Sequence, residues 1–409
     1  MADLRVAFGS LECRNPFIVA SASTSRNLQQ IKRAEEVGAG AVMLKAIVTK
    51  HPYEAKPFYY NDPKKQFLTN PSDPRLLIDE GVALIRACKK ESKLPIIANT
   101  MGSGANLESW GDISKTLEAA GADMIELNLG CPNIGLMQKA LGNITGNEED
   151  QVLGAICGQS PLIASSIVAT AKAAVKIPIM VKMTPTAPDM TVVAEACLRA
   201  GADCVDVSNV PQILPGVDIY HDGRPLYANY ETAPFSGLCG PANKVFTLKN
   251  IAQMSMKIKH VDIVGSGGLM NWKDCVEAIM CGAKAAALCT AIYWYGFDIF
   301  KELNAGIVRY MDEMGYRTIE DFRGHALKYI ATHETCTFKY IVPELDESKC
   351  KGCGICVKPG HCDAIEMAGD KPRITIEKCM GCSLCASLCP TKALRLVPNP
   401  LPPERIPMH

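Results

Sequence analysis

Between residues 1 and 315, short unbroken apolar runs alternate with stretches whose apolar residues recur every three or four positions. The runs are too short for helices and lack the alternation of a strand with one wet face, so they predict strands covered on both sides. The intervening stretches predict amphipathic helices. Four segments share one design, Gly-Ala leading into an apolar run, at 38–44, 121–127, 201–207 and 282–288, with starts 83, 80 and 81 residues apart. Further strands are expected at 16–20, 95–98, 178–181 and 261–264, and helices at 106–120, 163–175, 190–200 and 271–280 among others. Eight strand–helix units of about forty residues predict an α/β fold, a closed (β/α)8 TIM barrel in preference to an open doubly wound sheet.

In such a barrel the chemistry sits at the carboxyl ends of the strands. The residues just past the eight runs are Ser21, Lys45, Asn99, Asn128, Lys182, Ser208, Ser266 and Thr290, all polar. Two lysines and two asparagines converging on one face point to an electron-rich, hydrogen-bonding ligand. The segments 46–75, 128–160 and 208–241 exceed ordinary loop lengths and are expected to form the mouth of the site. Ser266-Gly267-Gly268 after the seventh strand and Thr290 after the eighth predict a phosphate site, because glycine lets backbone N–H groups approach closely. No Gly-x-Gly-x-x-Gly opens a helix after a strand, so a dinucleotide site of the usual design is not expected.

The cysteines change the picture beyond residue 349. Of nineteen, eight fall within 350–389. Cys379, Cys382, Cys385 and Cys389, followed by Pro390, have the spacing of bacterial two-cluster ferredoxins, in which the fourth cysteine ligates the other cubane. Cys350, Cys353 and Cys356 repeat the first part, with Cys362 displaced to a longer spacing. The expected quartets are Cys350, Cys353, Cys356 and Cys389 on one 4Fe-4S cluster, and Cys379, Cys382, Cys385 and Cys362 on the other. His361 is an alternative to Cys362, and a zinc ribbon is the competing reading of the whole run. The expected organisation is a barrel over 1–315, a connecting strap over 316–343, a small C-terminal bacterial-type two-cluster ferredoxin domain over 344–397, and an extended tail over 398–409, where five prolines fall in ten positions.

Composition narrows the function classes. The 48% hydrophobic and 21% charged content suits a globular protein, and 43 basic against 43 acidic residues give no net field to attract nucleic acid or an anionic membrane. The longest uncharged stretch, 151–171, carries Gly154, Gly158 and Pro161 in its first half and reads as loop followed by buried helix. With no secretory signal and a metal-type cysteine cluster, a cytoplasmic location is expected.

Asn128-Leu129-Gly130-Cys131-Pro132-Asn133, Asn15-Pro16-Phe17, Ala20-Ser21-Ala22, Lys182-Met183-Thr184-Pro185, Ser236-Gly237 and Cys157-Gly158-Gln159 carry a further signal. Together they resemble the catalytic chains of dihydropyrimidine dehydrogenases, within the dihydroorotate dehydrogenase superfamily of FMN barrels, here with a fused two-cluster ferredoxin domain. The resemblance implies FMN held by Ala20, Ser21, Lys45, Asn99, Lys182, Gly237, Gly267, Gly268 and Thr290. It implies Cys131 as the acid that exchanges a proton with one carbon while flavin N5 exchanges a hydride with its neighbour. Asn106, Asn128, Asn133 and Asn209 would grip the amide edge of a pyrimidine, uracil or thymine, reduced to its 5,6-dihydro form.

The 131–157 loop is longer than the family's, Gly130 replaces a usual serine, and the loop after the sixth strand departs from an Asn-Thr pair. Dihydroorotate, another cyclic amide or an enoyl compound therefore stays open as substrate, as does an electron-transfer module without its own substrate. Gly130-Cys131-Pro132 is also similar to tRNA dihydrouridine synthases, which the neutral charge and the ferredoxin domain oppose. Electrons are expected from an FAD- and NAD(P)-binding partner subunit or a free ferredoxin. An oligomer is expected, with no membrane or nucleic-acid partner.

Overall fold

The computed structural model describes residues 2–52, 56, 58–69, 73–132 and 152–401, and the chain divides into two units, 1–329 and 330–409. The first is built on eight parallel strands: β1 (Phe17–Val19), β2 (Ala41–Met43), β3 (Ile96–Thr100), β4 (Met124–Asn128), β5 (Ile179–Lys182), β6 (Cys204–Val207), β7 (Ile263–Ser266) and β8 (Ala285–Leu288). Each pairs with its sequence neighbours, β8 pairs with β1, and β3 pairs with β4 through Met124 opposite Ile97, so the sheet closes on itself. Every residue of these strands is buried, as two covered faces require. This is the expected barrel.

The outer helices are α1 (Leu28–Glu36), α2 (Ile78–Glu91), α3 (Glu108–Ala120), α4 (Pro161–Ala174), α5 (Met190–Arg199), α6 (Lys244–Lys257), α7 (Trp272–Met280) and α8 (Ile299–Met314). Side chains start several of them: Asn27 accepts from the Gln30 N–H, Ser160 from Ile163 with Pro161 in the first turn, and Asn271 from Lys273 and Asp274. The repeated Gly-Ala now has its cause. Gly38, Gly121, Gly201 and Gly282 all adopt positive φ, between 95° and 118°, where the chain turns out of a helix. The alanine after each is buried at the foot of the next strand.

A hairpin, Val6–Phe8 with Leu11–Cys13, precedes β1; Phe8 is fully buried, and Gly9 donates its N–H to Asp262 just before β7. The hairpin was not legible as a separate element. Within 151–171 the expected loop contains a one-turn helix, Ala155–Gln159, ahead of α4. No helix among the described residues is long and apolar enough to cross a membrane. Residues 316–329 belong with the barrel unit, where Ile319 and Phe322 are buried and Tyr316 stacks on Phe322 at 5.2 Å.

The second unit consists of two antiparallel ribbons and a short helix. Strand β9 (Ile341–Leu345) pairs with β12 (Leu394–Pro398), and β10 (Ile365–Ala368) pairs with β11 (Lys371–Ile374). The cysteines occupy the connections between these strands, with Cys385 on the helix Leu384–Leu388. Most of the proline-rich tail, 402–409, lies outside the described residues.

Candidate active site

At the carboxyl end of the barrel two adjoining cavities, of about 150 and 130 Å3, share Ser21, Asn209, Val210, Cys239 and Cys289 as walls. The larger is lined by Lys45, Asn128, Cys131 and Gly237, the smaller by Ala20, Lys182, Gly267, Gly268 and Thr290. Most of the expected site residues therefore meet in one place. Asn99 lies behind this surface, fully buried, and is reached through Asn128, whose Nδ2 donates to Asn99 Oδ1 at 3.3 Å. Asn209 in turn donates to Asn128 Oδ1 at 3.3 Å. Asn106 lines a separate cavity of about 280 Å3, and its Oδ1 accepts from the Ser109 N–H as α3 begins. Asn133 lies outside the described residues.

Of the long segments, those after β2 and β6 meet at the mouth, while 133–151, most of the segment after β4, lies outside the described residues. After β2 a short hairpin (Tyr60–Asn61 with Leu68–Thr69) meets the segment after β6: Leu68 bridges Cys239, and Thr69 Oγ1 contacts Ser236 Oγ at 2.5 Å and donates to the Gly237 carbonyl at 2.6 Å. The same segment brings residues that no pattern singled out. Asp73 pairs with Lys45 and accepts from Ser23, and Arg75 Nη2 donates to Cys131 Sγ at 3.4 Å, so a guanidinium stands beside the expected proton donor. Tyr59 and Tyr293, with hydroxyls 3.2 Å apart, close another side. Burial pushes the Cys239 thiol up to about 12 and the Cys289 thiol higher still, so both are neutral walls.

Beneath the cavities a charged cluster fills the barrel. Lys182 Nζ bonds Asp206 Oδ2, lies 3.4 Å from Ser266 Oγ and 3.7 Å from Glu126 Oε1. Ser266 also donates to Asp206, and Asn99 Nδ2 donates to Glu126 Oε2. Burial opposes the Lys182 ammonium, but the Asp206 and Glu126 carboxylates outweigh it and hold its pKa above the ordinary value. Burial dominates at Glu126 and pushes its pKa up to about 8.

The smaller cavity fits the phosphate end of a flavin nucleotide. Gly267 and Gly268 have φ of 114° and 76°, and a Cβ on Gly268 would stand 2.2 Å from the Lys244 backbone nitrogen, at the start of α6. A Cβ on Gly267 would stand 2.5 Å from Asn243 Nδ2, a buried amide nitrogen without a hydrogen-bond partner. Two glycines facing a helix start and an unpartnered donor make an anion cradle.

In the second unit, Cys350, Cys353, Cys356 and Cys389 line one hollow of about 20 Å3, and Cys389 Sγ accepts from the Ala393 N–H at 3.2 Å. Cys362, Cys379, Cys382 and Cys385 line another of about 30 Å3, together with Cys356 and His361. Cys356 lines both hollows.

Residues 3–311 match the family model for dihydroorotate dehydrogenase, and residues 372–395 match a 4Fe-4S binding domain. The NAD-dependent dihydropyrimidine dehydrogenase subunit PreA of Escherichia coli (strain K12) is 28% identical over 87% of this chain and 84% of its own. The catalytic subunit of dihydroorotate dehydrogenase B (NAD(+)) from Thermoplasma volcanium is 31% identical over 80% of this chain and all of its own. That from Pyrococcus horikoshii is 30% identical over 80% of this chain and 98% of its own. Members of the family use FMN, and the C-terminal motif indicates a 4Fe-4S cluster. With three quarters of its length matched, the chain belongs to the dihydroorotate dehydrogenase family and is an oxidoreductase acting on CH–CH donors.

Proposed function

We propose that this enzyme interconverts a pyrimidine base, uracil or thymine, and its 5,6-dihydro form. The observation that carries the reading is the meeting of Cys131, Asn128 and Asn209 on the wall of one cavity that continues into the anion cradle. Gly267, Gly268 and Thr290 would hold the phosphate of FMN, with Ala20, Ser21, Lys45, Asn99, Lys182 and Gly237 around the rest. When bound, FMN supplies hydride transfer at carbon and also takes single electrons, which suits a hydride reaction joined to iron–sulfur clusters. Asn128 and Asn209 offer paired donors and acceptors to an amide edge, and Asn133 is assigned to the same task; Asn106 lines the neighbouring cavity and is not. Cys131 delivers its proton to one carbon of the double bond and recovers it from solvent, and the neighbouring guanidinium of Arg75 orients the sulfur.

Cys350, Cys353, Cys356 and Cys389 are assigned to one 4Fe-4S cluster, and Cys362, Cys379, Cys382 and Cys385 to a second. A partner carrying FAD and an NAD(P) site, or a free ferredoxin, supplies the electrons. A second reading, dihydroorotate, is favoured by the similarity to catalytic subunits of dihydroorotate dehydrogenase B, at 30 to 31% identity over 80% of this chain.

Anaerobic turnover of dihydrouracil, dihydrothymine and dihydroorotate with an artificial electron acceptor separates the two readings. Cys131→Ala is expected to lower turnover by roughly 100-fold to 10,000-fold without changing iron or flavin content. Full turnover by that variant removes the assigned proton donor.

A further inference from the structure

Glu126 is the anomaly of the barrel interior. Its side chain is fully buried, Asn99 satisfies Oε2, and Oε1 has no hydrogen-bond donor. Lys182 Nζ stands 3.7 Å from that oxygen and is already bonded to Asp206. A bare carboxylate oxygen in that position is costly, whereas a protonated one has a partner ready, because the Asp206 carboxylate lies within hydrogen-bonding reach of Glu126. Charge agrees with this. Two carboxylates and one ammonium, all ionised, would leave a net negative charge in a low-dielectric interior, and one proton cancels it.

We propose that Glu126 holds a proton and donates it toward the Asp206 carboxylate, and that this proton decides whether the Lys182 ammonium is free to stabilise an anion in the cavity above it. With the proton present, the three groups are neutral as a set and Lys182 faces the cavity with its charge offset once. With the proton lost, two carboxylates oppose any anion that Lys182 would attract. Glu126 is thus a positioning residue that acts through Lys182. The groups facing it are Asn99 from β3, Lys182 from β5, and Asp206 and Cys204 from β6; Asp206 is further tied to Ser266 from β7. Burial also keeps the Cys204 thiol neutral, so it supplies no competing charge. The inference rests on the FMN reading only for the anion probe used below.

Two measurements test it on the full chain purified without oxygen. Infrared spectra of protein labelled with 13C-glutamate are expected to show a protonated carboxyl band at neutral pH that shifts with the label and is absent from Glu126→Gln. Absence of such a band in the wild type overturns the proposal without any variant having to fold. The second probe is sulfite, whose addition to bound flavin places negative charge on the ring. Gln keeps the shape of Glu126 and stays neutral, so the ratio of wild-type to Glu126→Gln dissociation constants is expected to be near one at about pH 6. It should rise about tenfold by about pH 9.5, as the wild type loses its proton. A ratio that stays flat across this range overturns the proposal. A preparation that holds no flavin instead contradicts the FMN reading, and the infrared result then stands alone.

Discussion

The two units of this chain are held together by different physics. In the barrel, all eight strands and the inward faces of the helices form one continuous apolar core, with Phe17, Ile18, Leu44, Ile97, Phe300 and Phe322 among its fully buried side chains. Among the described residues of the C-terminal unit the buried apolar side chains are Val342, Ala364, Ile365, Cys379, Ala393 and Leu394, and most cysteines lie on its connections. About eighty residues with so small a core are at the limit of independent stability, and natural domains of that kind rely on metal or disulfides. The barrel is expected to fold on burial alone, and the C-terminal unit on its thiolate–iron bonds.

The largest effect follows directly. Stripping iron with a chelator under reducing, anaerobic conditions should abolish amide-exchange protection throughout 330–409 while leaving the eight barrel strands protected. The whole folding free energy of the small unit is at stake, because metal binding and folding are coupled where the apolar core is this small. Protection that persists in Ile341–Leu345 and Leu394–Pro398 after iron loss would show that the apolar cluster suffices, and the contrast between the units would fail. A smaller effect sharpens the other side. Ile97→Ala in β3 removes a fully buried side chain from a strand paired on both sides, and should cost about 2–5 kcal/mol. All three tryptophans, Trp110, Trp272 and Trp294, lie in the barrel unit, so urea unfolding followed by their fluorescence reports that unit alone.

The contrast also governs what was legible in the sequence. Strands covered on both faces leave unbroken apolar runs, so all eight could be read, and the Gly-Ala repeat marked helix ends because left-handed backbone selects glycine. The 4Fe-4S motif was legible because cluster ligation fixes local spacing. The mouth was not. Thr69, Asp73 and Arg75 lie on segments without periodicity, and they meet the site through contacts between residues far apart in the chain. Glu126 and Asp206 were a different loss, since both stood in plain view inside runs read as apolar strand. A carboxylate in a strand covered on both faces has no solvent to turn to, so its presence alone announced a partner. Asn106 matched its motif, yet its side chain helps start α3 and lines the neighbouring cavity.

That polar island gives the smallest and most specific test of a barrel otherwise held by apolar burial. Glu126 has its pKa raised by burial from 4.5 to about 8, so above pH 4.5 the unfolded chain releases a proton that the folded chain keeps. Stability is therefore greatest below that pH, falls as pH rises toward 8, and levels off beyond. One proton sets the steepest slope at about 1.4 kcal/mol per pH unit. Glu126→Gln removes the titrating group while retaining the amide-to-Asn99 geometry, so its barrel stability should lack this component of the slope. The two proteins should converge near pH 5 and separate progressively by pH 8, with the variant the more stable. Urea midpoints from tryptophan fluorescence at several pH values measure the separation. Parallel curves would mean that Glu126 ionises inside the barrel as it does in water, and that Lys182 alone compensates both carboxylates.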